Sequence, residues 1–138
     1  MSILKRIAAI FIGLMVAFTV IILLEKVAHG NMIVPEGVDP NTPEGAAKLI
    51  ADAPVSALLW VVAGYLFGTF LGSVIAQLIS NGNKPISAYI TGCILLLLTL
   101  ANLFMVAHPT WMIVASLIAV AFASWLAGRL ITKKTNPV

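Results

Sequence analysis

From Pro85 to Gly128 the chain runs 44 residues without an Asp, Glu, Lys or Arg, and Ile7 to Leu24 adds another 18. Runs of this length exclude an ordinary water-soluble core. A soluble domain needs roughly 25% charged residues to solvate its surface, whereas this chain has 9% charged and 61% hydrophobic residues. Lipid as the solvent removes the conflict, because apolar side chains on the outside of a helix bundle then cost nothing. The predicted fold class is all-α, a single four-span antiparallel transmembrane bundle.

The spans are expected at about residues 7–28, 54–79, 85–107 and 110–131. Each supplies roughly 20 residues or more, enough for a hydrocarbon layer of about 30 Å at ~1.5 Å per residue. Pro109 divides the last long run, since proline disfavours helix at the residue before it. Ser80-Asn81-Gly82-Asn83-Lys84-Pro85 reads as a short polar turn, and His108-Pro109-Thr110 as a tighter one. Ile7–Leu24 exceeds the usual 7–15-residue core of a secretory signal and lacks a good cleavage site, so it reads as a retained first span.

Charge sets the expected topology. All five acidic residues, Glu25, Glu36, Asp39, Glu44 and Asp52, lie in one 28-residue stretch between the first two apolar runs. Six of the eight basic residues, Lys5, Arg6, Lys84, Arg129, Lys133 and Lys134, lie at the opposite span ends. Basic residues flanking spans are retained in the cytoplasm, so both termini are expected inside and the 29–53 loop outside, in a bacterial inner membrane. The net charge of +3 then means contact with anionic headgroups on the cytoplasmic side. It does not indicate nucleic acid, because the cations cluster at membrane ends.

The outer loop is expected to be structured. Thr42-Pro43 has the form of an N-cap followed by proline at the first helical position. Ala46, Ala47, Leu49 and Ile50 would give that short helix an apolar face on the membrane surface. Asp52 is placed to cap the second span. Cys93, the single cysteine, is expected to be a small packing residue.

Small residues recur every fourth position in three spans: Ala9, Gly13 and Ala17; Gly64, Gly68, Gly72 and Ala76; and Ala115, Ala119, Ala123 and Ala127. Such stripes let helix backbones approach closely in lipid. They serve either packing within one chain or association with a second copy or a larger membrane complex. Trp60, Tyr65, Trp111 and Trp125 read as ordinary aromatics, the tryptophans as interfacial anchors.

The candidate site lies at the outer face. Glu25 precedes His29 by four residues, which puts the two side chains on one face of the first span. His108 is at the same membrane level, and Asn102 about two turns deeper on the third span. If assembled, Glu25, His29, His108 and Asn102 could hold a divalent metal through Glu25, His29 and His108, relay protons, or bind a small polar ligand. They could equally cap the helix ends, with Glu25 paired to Lys26, His29 or His108. No phosphate loop, HExxH, nucleophile elbow or deep carboxylate pair is present, so an enzyme is not expected, and neither is a cofactor beyond such a metal.

Glu25-x3-His29, Gly37-Val38-Asp39 in the proline-rich loop, the Gly64–Gly72 helix and Ala107-His108-Pro109-Thr110-Trp111 together resemble a group of small bacterial four-helix membrane proteins with no known activity. The resemblance spans nearly the whole chain and implies fold and location only. The leading expectation is a non-enzymatic accessory or scaffold subunit associating through its glycine and alanine faces. The alternative is an outward-facing binding or transport protein built on the Glu/His cluster.

Overall fold

The computed structural model describes residues 2–131; Lys133 and Lys134 lie outside them. Among the described residues there are five helices and no strand: α1 (Ile3–Gly30), α2 (Pro43–Ala51), α3 (Val55–Ser80), α4 (Ile86–Met105) and α5 (Thr110–Ile131). All but α2 are long and apolar enough to cross a membrane.

The spans fall close to their expected places, and their ends follow local chemistry. Ser2 starts α1 earlier than hydropathy alone suggests, its hydroxyl accepting from the Lys5 amide. α4 stops at Met105, short of 107, because Val106 turns to extended backbone ahead of His108-Pro109. Asn81, in the left-handed conformation at φ 48°, ends α3. Asp52 does not cap the second span. It closes α2, and Pro54 stands at the start of α3 with no side-chain cap.

α3 is the central helix, touching α1, α4 and α5. Its most extensive contact is with α1, and the glycines are the reason. A Cβ added at Gly72 would stand 2.5 Å from the Gly13 carbonyl oxygen, and one at Gly68 would stand 2.8 Å from that of Ala17. As the α1 partners ascend from Gly13 to Leu24, the α3 partners descend from Gly72 to Gly64, so the two helices are antiparallel. Dispersion between closely spaced backbones holds such a pair in lipid, where burial of apolar surface contributes little.

This geometry decides between the two uses of the stripes on α1 and α3. Gly13 and Ala17 of α1 pack against Gly68, Gly72 and Ala76 of α3 within one chain, Gly64 packs on Ile21 and Leu24, and Ala9 is buried as well. They offer no surface to a second subunit. On α5 the buried row is Met112, Ser116, Val120, Ala123 and Ala127, leaving Ala115 and Ala119 half-buried on its flank. α4 and α5 approach closely at Gly92 and Ser124, whose Oγ donates to the Ala88 carbonyl.

Outward-facing positions are apolar, among them Phe11, Leu23, Phe67, Leu97 and Ile118, as a lipid-facing surface requires. Cys93 is one of these exposed positions and is not a packing residue. The three tryptophans are partly exposed, whereas Tyr65 is buried, only 4% exposed, and so is no interfacial anchor. Arg6 and Lys84 line one cleft at the turn between α3 and α4. Arg129, its guanidinium carbon 5.1 Å from the Trp125 ring centroid, ends α5 on the same side of the bundle. Arg6, Lys84 and Arg129 therefore share one end, and Glu25 lies at the other with Lys26 beside it.

Candidate functional site at the acidic end of the bundle

The 31–54 connection folds over the acidic end. Thr42 accepts from the Gly45 amide at 3.1 Å and starts α2 with Pro43 in the first turn. The apolar face of α2 does not lie on the membrane surface. Leu49 is buried and Ile50 packs on the core formed by residues including Leu58, Val61 and Met112. α2 thus roofs a cavity of about 200 Å³ between the ends of α1, α3, α4 and α5.

All four residues singled out from the sequence line that cavity: Glu25, His29, Asn102 and His108. Their bonding differs from the expected pairing. The His29 Nδ1 lies 2.8 Å from the backbone oxygen of Glu25, not from its carboxyl group. Glu25 lies five residues before the end of α1, so this bond adds to the helical ladder rather than capping a carbonyl left open at the helix end. The His108 Nδ1 lies 2.6 Å from the Val106 carbonyl oxygen, stabilising the break between α4 and α5. A carbonyl can only accept, so Nδ1 carries the proton in both rings. In the neutral form each Nε2 is then left as an acceptor.

Glu25 is half-buried and, among the described residues, its carboxyl group forms no hydrogen bond and no ion pair. Both imidazoles lie close enough to Glu25, and Glu25 to Tyr65, to interact electrostatically when the groups are charged. The Asn102 Nδ2 donates to the Tyr65 hydroxyl at 2.8 Å, joining α4 to α3 at the cavity floor. The site is therefore rich in acceptors: the Glu25 carboxyl oxygens, the amide oxygen of Asn102 and the two Nε2 atoms. No group of three or more His, Cys, Asp or Glu residues among the described ones is arranged to hold a metal ion. The arrangement suits a ligand that donates hydrogen bonds.

Tyr65 is the member that the sequence reading passed over. Its signal is a second four-residue period on α3, Tyr65, Thr69, Ser73 and Gln77, each buried. A polar row at that spacing in an apolar span faces the bundle interior, because lipid would penalise it. Gln77 anchors the far end of the row, its amide donating at 3.0 Å to the Gly82 and Lys84 carbonyls while its oxygen accepts from the Ala88 amide.

Comparison with known proteins assigns no relative. No family model matches the chain, and neither a curated protein nor a solved structure is found similar to it.

Proposed function

We propose that this chain is a multi-pass membrane protein of the bacterial inner membrane that binds a small hydrogen-bond-donating ligand at the outer end of its bundle. The observation that carries the reading is the convergence of Glu25, His29, Asn102 and His108, from two distant stretches of sequence, on one roofed cavity completed by Tyr65. Glu25 supplies charge, the imidazoles and Asn102 supply acceptors, and Tyr65 fixes the Asn102 amide. The N-in, C-in orientation rests on Arg6, Lys84 and Arg129 at the opposite end, against Lys26 and Lys48 at this one. Association through the glycine faces loses its support, since those faces are occupied within the chain.

The chain has two histidines, and both line the cavity, so imidazole NMR reads the site directly. In phosphatidylcholine nanodiscs, ethylammonium should shift both histidines saturably, acetate should not, and Glu25→Gln should weaken the response at least tenfold. Linear, unsaturating shifts that Glu25→Gln leaves unchanged would sink the reading. Orientation is tested in a Cys93→Ala background with a membrane-impermeant thiol reagent. Glu36→Cys should label in intact cells and Asn83→Cys only after permeabilisation.

A further inference from the structure

Glu25, Tyr65 and Asn102 line not only the roofed cavity but a second one of about 300 Å³, between α1 and α4. α1 packs mainly on α3 and meets α4 only sparingly, which leaves this gap. Its remaining wall is largely apolar, with Phe18 and Ile22 from α1 and Leu98 from α4. These three side chains are 41%, 50% and 45% exposed on faces of spanning helices, so the gap opens sideways toward lipid. The polar site therefore has two mouths, one beneath α2 and one in the hydrocarbon layer.

We propose that the occupant is a membrane amphiphile with a primary ammonium head, its head at Glu25 and Asn102 and its chain in the α1–α4 gap. This rests on the outer-cavity reading and adds the ligand's class and its route of entry. A carboxyl group at membrane depth is costly unless a partner meets it, and Glu25 has no hydrogen-bond or ion-pair partner among the described residues. An ammonium brings a positive charge and three donors to a site of acceptors. No Lys or Arg lines either cavity, so nothing there favours a head whose only charge is a carboxylate or phosphate. At this end of the sequence five acids stand against Lys26 and Lys48, a field that draws cations. Lateral entry keeps the chain in hydrocarbon throughout, so no apolar surface has to cross water.

The test uses the full chain in phosphatidylcholine nanodiscs with hexadecylamine carrying a mid-chain diazirine, the photolabelled residues being mapped by mass spectrometry. Labelling should concentrate on the α1–α4 gap, around Phe18, Ile22 and Leu98. It should fall at least fivefold with tenfold excess hexadecylamine, and not with hexadecanoate. Glu25→Gln should lower it similarly, as should Ile22→Trp, which fills the gap from an exposed position. If phosphatidylethanolamine competes as well as hexadecylamine, the source is an aminophospholipid; if it does not, the source is a single-chain amine. Labelling spread evenly over outward residues such as Phe67 and Phe122, with no competition, would overturn the inference. Should ethylammonium still shift the histidines in that case, the outer-cavity reading survives alone. Should it not, both fall.

Discussion

The Asn102 side-chain amide donates a 2.8 Å hydrogen bond to the Tyr65 hydroxyl, across 37 positions of sequence and between two neighbouring helices. It is a side-chain hydrogen bond that joins α4 to α3 next to Glu25. Interhelical bonds of this type in membranes average about 0.6 kcal/mol in double-mutant cycles. Tyr65→Phe and Asn102→Ala together should therefore cost about 0.6 kcal/mol less than the sum of the two single changes, read from unfolding in mixed micelles. Strict additivity would mean that the bond contributes nothing.

The α1–α3 contact should grade the glycines by what a methyl group meets. At Gly72 the added carbon would stand 2.5 Å from a backbone oxygen that cannot swing aside, so Gly72→Ala should destabilise the chain by about 1–3 kcal/mol. At Gly64 the nearest atom is 3.4 Å away, and the gain in helix propensity, up to about 1 kcal/mol, should leave Gly64→Ala neutral or stabilising. Neither should change the oligomeric state measured by native mass spectrometry. A change of assembly with stability intact would place the glycine face between subunits.

α4 and α5 invite a rescue experiment. An alanine methyl at Gly92 would overlap the Ser124 side chain, so Gly92→Ala alone should cost about 2 kcal/mol or more. Adding Ser124→Gly removes the obstruction and should restore at least half of the loss, although the Ser124 bond to Ala88 goes with it. A double variant no more stable than Gly92→Ala would show that the two positions do not meet.

The polar row on α3 should divide sharply by partner. Gln77→Leu removes three hydrogen bonds and leaves the buried Ala88 amide without its side-chain acceptor, at a cost of about 2 kcal/mol. Thr69, Ser73 and Ser116 have buried hydroxyl oxygens without hydrogen-bond partners among the described residues. Thr69→Val, Ser73→Ala and Ser116→Ala should consequently be near neutral or stabilising by up to about 1 kcal/mol, since each removes a buried hydroxyl without a partner. Losses of 1 kcal/mol or more at these hydroxyls would reveal bound water that they share.

Hydropathy and proline placement determined the four spans by themselves, because the length of hydrocarbon to be crossed fixes how many apolar residues each helix needs. The Thr42-Pro43 cap was legible for a similar reason: its hydrogen bond reaches only three residues along the chain. Four cavity residues were legible as well, since polar groups near one end of the spans stand out against an apolar background. Tertiary structure alone decided what those groups do. The Glu25-x3-His29 spacing fits a carboxyl–imidazole pair and an imidazole–backbone bond equally, and the imidazole took the carbonyl of Glu25. The small-residue stripes could not name their partner, because close approach is the same physics within a chain as between chains. Only the packing of Gly72 on Gly13 showed which one was used. Asp52 closing α2, Leu49 turned onto the bundle and Tyr65 beneath the roof depend on where distant segments meet, which no local pattern in the sequence encodes.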